Sequence, residues 1–264
     1  MDDLIFLKLG GSLITDKTAV EAVRPQVLAR LAREIEQARL AQPHLQLVLG
    51  HGSGSFGHVA AARYGTRKGV QTAEQWRGFA EVSAAAARLN RLVVQALLEA
   101  GVPAVTLQPS ASTLCQDGRI VSLAAQPVQL ALQAGLVPAV YGDVAFDGAR
   151  GGTIISTEEI MTFLAAQLRP SWLLLAGETA GVLNGQGAVI PLITKANFAK
   201  VRPALGGSHG TDVTGGMAGK VQSMLDLVGT QPDLTIRIFS GLEPGAVKRL
   251  LLRPQGDTGT IISR

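Results

Sequence analysis

Short apolar runs recur along the chain at 4–9 (LIFLKL), 45–49 (LQLVL), 102–107 (VPAVTL), 136–141 (LVPAVY), 172–176 (WLLLA), 235–239 (TIRIF) and 259–262 (GTII). Each has strand length and little polar alternation, as expected of strands covered on both faces. Between them, apolar residues return at helical spacing over 25–41, 74–100, 125–134, 158–168, 216–229 and 244–251. Thr72 ahead of Glu74 and Gln75, Gly101 and Pro244 mark helix ends. Strand alternating with helix predicts an α/β fold, a three-layer α/β/α sandwich with a mostly parallel central sheet. Ligands in such folds bind at the carboxyl ends of the strands. The stretch 184–214 has no firm period and is read as a hairpin plus loops. The chain shows no repeat, no low-complexity tract and no convincing linker.

Composition narrows the classes. With 264 residues, 47% of them hydrophobic, the chain can bury a large core as one big domain or two lobes sharing a sheet. A pI near 9.5 raises the question of nucleic acid. The formal net charge is only +4, however, and the densest basic group, Arg63, Arg67 and Lys68, has no aromatic partner beyond Tyr64. Neither nucleic acid nor a membrane is expected as a partner. The one cysteine, Cys115, excludes an intrachain disulfide and reads as a small packed residue in a reducing compartment. Met1-Asp2-Asp3 leads directly into an apolar strand, and no run approaches the roughly 18 residues a membrane span needs. A cytoplasmic location is the expectation.

Three glycine loops carry the candidate chemistry. The first strand runs into Gly10-Gly11-Ser12, with Lys8 inside the strand and Lys17 beyond it. A cation in an apolar strand needs a partner such as a phosphate, or an edge position from which to reach water. The second loop, Leu49-Gly50-His51-Gly52-Ser53-Gly54-Ser55-Phe56-Gly57-His58, contains Gly52-x-Gly54-x-x-Gly57, the lettering of a dinucleotide turn. That reading fails on context: after Gly57 the chain is broken by Gly65 and Gly69, and no strand follows before position 102. What remains is a nest of backbone N–H groups for an anion, closed by His58. His51 ranks second as a phosphate donor, since a histidine just past a strand is more often packed. The third group, Thr214-Gly215-Gly216-Met217-Ala218-Gly219-Lys220, is not a P-loop, because Val221 stands where Ser or Thr would hold magnesium. Lys220 in the first turn of a helix can still reach a nucleotide phosphate.

Together and in this order, Lys8-Leu9-Gly10-Gly11-Ser12 with Thr15-Asp16-Lys17, His51 to His58, Gln108-Pro109-Ser110, Gly142-Asp143-Val144, Asp212 to Met217 with Lys220, and Gly259-Thr260-Ile261 resemble the amino acid kinase family. Within it they are most similar to the isopentenyl phosphate kinases, the SFGH ending of the second loop being the most specific element. The resemblance implies transfer of the γ-phosphoryl of ATP, accompanied by magnesium, to isopentenyl phosphate. No dedicated side-chain metal site is expected. It also implies an acceptor lobe at 1–170 and a nucleotide lobe at 171–264 sharing one sheet, and a homodimer. Lys8 and Lys17 would neutralise the transferring group, and Gly10, Gly11 and Ser12 would donate to ATP phosphates. Ser53 and Gly54 would lie between donor and acceptor. His58 would bind the acceptor phosphate, with Gly142, Asp143 and Thr157 bordering it. Glu178, Gly181, Gly216 and Lys220 would serve the nucleotide. The acceptor's apolar tail would lie near Phe79, Val82 and Ala86.

The chain departs from the family pattern at three places. Ser53 replaces a glycine. Ser156-Thr157-Glu158-Glu159 stands for Ser-Gly-Asp, which makes Glu158 the carboxylate expected to orient the lysines. Gly177-Glu178-Thr179-Ala180-Gly181-Val182 stands for Thr-Asp-Val-Asp-Gly-Val. Two other readings remain beside the leading one: a kinase for another small phosphate or phosphonate such as fosfomycin, and a ligand-sensing module without turnover. A long apolar acceptor slot favours a prenyl chain over a phosphonate.

Overall fold

The computed structural model describes residues 4–205 and 216–264, with only the backbone of His58, Val59, Ala60 and Ala204. The amino-terminal half runs β1 (Leu4–Leu9), α1 (Gly11–Ile14), β2 (Thr15–Asp16), β3 (Ala22–Val23), α2 (Pro25–Ala41), β4 (Gln46–His51), α3 (Gly54–Tyr64) and α4 (Ala73–Glu99). It continues with β5 (Ala104–Thr106), β6 (Leu114–Gln116), β7 (Arg119–Ser122), α5 (Gln126–Gln133), β8 (Val137–Tyr141), β9 (Asp143–Asp147), β10 (Gly151–Ile155) and α6 (Thr157–Leu168). Then come β11 (Trp172–Gly177), β12 (Leu192–Ile193), α7 (Phe198–Val201), α8 (Gly216–Thr230), β13 (Thr235–Ser240), α9 (Ala246–Leu252) and β14 (Thr260–Ile262).

Eight strands form the central sheet in the order β12-β14-β13-β11-β1-β4-β8-β5, parallel except for β13 against β14. Strands before residue 170 fill one half of it and later strands the other. The alternation along β1 explains the layering. Ile5, Leu7 and Leu9 face a core shared with Leu28, Leu31 and Ile35 of α2, Leu89 and Val93 of α4, and Val247 and Leu250 of α9. Phe6 faces the opposite core, with Val128 of α5, Ile160, Met161 and Leu164 of α6, and Val221 and Leu225 of α8. Each fully buried Leu or Ile in these layers contributes about 1.5–3 kcal/mol of transfer free energy, and this fixes the strand register. Among the described residues no helix is long and apolar enough to cross a membrane.

The seven strands and the long helices that the apolar pattern marks are present, whereas β2, β3, β6, β7, β9, β10 and β12 lie outside those runs; two differences in the helices follow from tertiary contacts. The glycine turn after β4 does open a helix: α3 runs to Tyr64 and ends at Gly65, which is left-handed at φ 61°. Glycines lower helix propensity, but the Ser55 N–H donates to Thr15 Oγ1 at 3.0 Å and so starts the turn. The dinucleotide reading still fails, because α4 follows and the next strand is β5. The last helix begins at Ala246 rather than Pro244, capped by a carboxylate from another element. Within 184–214, a single bridge joins Leu183 to Val189, followed by β12 and α7; residues 206–214 lie outside the described residues.

That carboxylate is Glu34 of α2, 6% exposed. It accepts from the N–H groups of Gly245 (2.8 Å), Val247 (3.0 Å) and Lys248 (3.4 Å) and pairs with Arg30 at 2.5 Å. Arg30 also donates to Gly241 O at 2.6 Å, so α2 holds the whole β13–α9 turn. Glu34→Ala leaves Arg30 without its carboxylate and the N–H groups of Gly245, Val247 and Lys248 without their acceptor. It is expected to cost on the order of 3 kcal/mol, or roughly 6–12 °C in Tm, and Glu34→Gln about half as much. Thermal unfolding followed by circular dichroism checks this; an unchanged Tm for Glu34→Ala contradicts it.

Candidate functional site

Lys8 is not at an edge. β1 lies between β11 and β4, and Lys8 pairs in register with Leu175 and Gly50. Two residues on from Phe6, it faces the α6 layer. There its Nζ meets Glu158 Oε1 at 2.7 Å, with side-chain exposures of 14% and 30%. Glu158 occupies the first turn of α6, whose N-cap Ser156 and N3 residue Glu159 form a capping box. The close approach needs Gly50, since a Cβ there would fall 2.7 Å from Thr157 and Met161. Burial pushes the Glu158 carboxyl up. The Lys8 charge and hydrogen bond, with a further pull from Lys220, outweigh it and hold the carboxyl below the usual range.

The loops after β1 and β4 touch each other. A Cβ on Gly11 would lie 2.4 Å from Gly54 N, and one on Gly54, at φ 50°, would lie 2.6 Å from Gly11 O. Only glycine fits either place. Gly11, Ser12 and Gly54 open helices, so their N–H groups have no intrahelical acceptor. Gly10 N donates to Ala176 O at the end of β11 at 2.8 Å. At the end of β8, Gly142 N (3.4 Å) and Thr157 Oγ1 (2.6 Å) both donate to His51 O. Lys8, Gly10, Gly11, Ser12, Ser53, Gly54, Gly142, Thr157 and Glu158 thus gather at the carboxyl ends of the four adjacent strands β11, β1, β4 and β8.

The remaining expected residues separate into several placements. Lys17 sits exposed at the tip of the β2–β3 hairpin, which Ser55 Oγ fastens by accepting from Ala22 N at 3.2 Å. Lys220 is the fifth residue of α8, which begins at Gly216. Glu178, just past β11, pairs with Arg24 at 3.1 Å. Gly181 is a packing residue: a Cβ on it would lie 2.7 Å from Thr260 Oγ1. Asp143 is turned inward, 1% exposed. It accepts from Ser83 Oγ (3.1 Å), Ser110 N (3.2 Å) and Val144 N (2.8 Å), and burial raises its pKa against these donors. The His58 side chain lies outside the described residues. Cys115 is buried and its thiol pushed up to about 11, chiefly by burial.

Three supporting groups escape sequence reasoning. Arg67 makes a two-pronged pair with Glu159 at 2.7 and 2.9 Å and reaches Ile154 O, which ties the α6 N-terminus to the β9–β10 hairpin. The sequence signal was half present, since Ser156-x-x-Glu159 is a legible capping box. Arg24, the partner of Glu178, had no signal. Asn90, hydrogen-bonded to His51, stood out only as a polar residue in the apolar stripe of α4. Beside the site, Trp76, Phe79, Val82, Val144, Phe146 and Ile154 form an apolar cluster between α4 and the β9–β10 hairpin, with Phe79 and Phe146 ring centroids 5.3 Å apart. Ala86, the third residue expected near the tail, is buried in α4.

The sequence model of the amino acid kinase family matches residues 3–240. An isopentenyl phosphate kinase of Haloferax volcanii is 39% identical over 93% of this chain and 98% of its own. One from Methanothermobacter thermautotrophicus is 34% identical over 94% and 95%. A crystallographically solved isopentenyl phosphate kinase superposes with a TM-score of 0.83 at 30% identity, covering 98% of this chain and all of its own. With that likeness running through both halves of the sheet and through the loops at its carboxyl ends, the chain belongs to the amino acid kinase family.

Proposed function

We propose that the protein transfers the γ-phosphoryl group of ATP to isopentenyl phosphate, giving isopentenyl diphosphate and ADP. The observation that carries the reading is the Lys8–Glu158 pair beside two touching glycine loops. A fixed cation and a nest of unpaired N–H groups suit a reaction between two anions, which needs charge neutralisation and in-line placement more than covalent help. The likeness to relatives named isopentenyl phosphate kinase supports the choice of acceptor. The apolar cluster between α4 and the β9–β10 hairpin also favours a prenyl tail over a short polar phosphonate such as fosfomycin.

In this reading an oxygen of the acceptor phosphate attacks the γ-phosphorus while the bond to ADP breaks. The acceptor is already ionised near neutral pH, so no strong base is required. Lys8, oriented by Glu158, and Lys17 neutralise the transferring group. Gly10, Gly11 and Ser12 donate to ATP phosphates, and Ser53 and Gly54 stand between donor and acceptor. His58 binds the acceptor phosphate next to Gly142 and Thr157, with Asp143 as a buried support. Lys220 and Gly216 hold the nucleotide from α8, with Glu178 and Gly181 flanking it. ATP would arrive as its magnesium complex, the metal offsetting part of the phosphate charge. The lobes at 1–170 and 171–264 divide acceptor from nucleotide, and the assembly is a homodimer in the cytoplasm, as the family resemblance suggests.

An ADP-release assay with MgATP tests this by comparing isopentenyl phosphate, dimethylallyl phosphate and fosfomycin. Isopentenyl phosphate is expected to turn over, with kcat reduced about 10³-fold in Lys8→Ala, the scale of losing one fixed transition-state donor. His58→Ala is expected to raise KM for the acceptor more than for ATP. Turnover of fosfomycin alone moves the reading to the phosphonate kinases, and no ADP with any acceptor supports a sensor.

The pair also sets a pH dependence. Because folding lowers the Glu158 pKa from 4.5, its ion pair contributes fully above that value and is lost as pH falls through the lower folded one. The stability gap between wild type and Glu158→Gln is therefore expected to stay constant from pH 8 to about 5 and to shrink below it. Urea unfolding across that range measures the gap; a gap that widens on acidification contradicts the pairing.

A further inference from the structure

His51 ends β4 one residue before the glycine loop, on the α4 face of the sheet, and is 1% exposed. Its ring stacks on Tyr141, with centroids 5.6 Å apart and planes at 11°. Nε2 lies 3.1 Å from Asn90 Oδ1, and Asn90 Nδ2 donates to Thr106 Oγ1 at 2.8 Å. Nδ1 lies 3.2 Å from Gly52 O. Burial disfavours the imidazolium more than its two hydrogen bonds favour it, and the nearby Lys8 charge works in the same direction as burial. The ring is therefore neutral and carries one N–H.

Where that proton sits is settled by the partners. With Asn90 Oδ1 toward the ring, the N–H is at Nε2, and the lone pair of Nδ1 then confronts Gly52 O, acceptor against acceptor. Turning the Asn90 amide end for end removes the conflict, because the Thr106 hydroxyl donates as readily as it accepts. Thr106 then donates to Asn90 Oδ1, Asn90 Nδ2 donates to His51 Nε2, and His51 Nδ1–H donates to Gly52 O. No charge is buried and no acceptor is opposed.

We propose that His51 is a positioning residue of the transfer site, whose Nδ1–H, fixed by Asn90 and Thr106, anchors Gly52 O and so sets the Gly52–Ser53 peptide. The inference deepens the phosphoryl-transfer reading and rests on it. The preceding peptide is held already: His51 O accepts from Thr157 Oγ1, and Gly52 N donates to Leu9 O at 3.0 Å. Among the described residues, the imidazole is the tie on the next one. In a planar trans peptide the N–H points away from the C=O. Anchoring Gly52 O against the ring therefore presents the Ser53 N–H on the side away from His51. Without the anchor, a peptide that begins at glycine is free to turn.

Two substitutions separate this role from plain packing. The amide N–H of His51→Asn falls near the Nδ1 position, and that of His51→Gln near Nε2. His51→Gln, which keeps the Asn90 link and loses the anchor, is expected to lower kcat about 100-fold with little change in either KM, while His51→Asn stays within about tenfold of wild type. Equal losses in both, or full activity in His51→Gln, overturn the proposal. Long-range proton–nitrogen NMR of the wild type supplies a substrate-free test, with the His51 signals identified among the four histidines by their absence in His51→Asn. A neutral ring protonated at Nδ1 is expected; protonation at Nε2, or an imidazolium, overturns the proposal. If the wild type transfers phosphate to no prenyl acceptor, the kinase reading falls together with the catalytic consequence. A ring protonated at Nδ1 in that protein still upholds the anchoring of Gly52.

Discussion

A lysine placed in the middle of a central strand constrains what surrounds it. Lys8 is largely sheltered in β1, its side chain 14% exposed, and a cation so placed is costly without a partner. The carboxylate of Glu158 is the solution, and it imposes further requirements. It sits at the start of α6, so that helix must bring its N-terminus across the sheet, and β4 must carry glycine at position 50 to let it pass. The start of α6 is in turn capped by Ser156 and Glu159, and Glu159 is clamped by Arg67 from the segment before α4. A pair formed by residues 150 positions apart thus depends on contacts from several elements.

The same end of the sheet explains why the site suits anions. Two glycine-bearing loops approach until their backbones touch, which leaves no room for a Cβ at Gly11 or Gly54. The charges at this end include, among the described residues, Lys8 with its carboxylate, Lys220 close enough to act on Glu158, the Arg24–Glu178 pair, and Lys17 on a hairpin fastened through Ser55. Under the proposed function, such a site would hold phosphate by preorganised dipoles and positive charge. An apolar cluster packs between α4 and the β9–β10 hairpin.

Much of this was legible in the sequence. Continuous apolar runs identify buried parallel strands because both faces need covering, and Lys8 was conspicuous as the exception within one of them. What the sequence withheld were pairings set by tertiary geometry. Nothing in the string joins Arg67 to Glu159, Arg24 to Glu178 or Glu34 to the start of α9, since each depends on how layers stack. The helix after the second loop was hidden because Gly54 and Gly57 weaken its local signal, while the contact that starts it comes from Thr15 in another element. His51 was legible as a packed histidine, but its partners Asn90 and Thr106 became apparent only once α4 lay against β4 and β5.

The central claim is that the loops after β1 and β4, with Lys8 between them and Glu158, form the place where phosphate passes from nucleotide to acceptor. A crystal structure of the protein with ADP and isopentenyl diphosphate tests it most directly. The account predicts phosphate oxygens on the N–H groups of Gly11, Ser12, Ser53 and Gly54, with Lys8 Nζ on the transferred phosphate and the hydrocarbon tail against Phe79. Phosphates bound away from those loops, or a Lys8 still engaged with Glu158 alone while the ligands sit elsewhere, would contradict it.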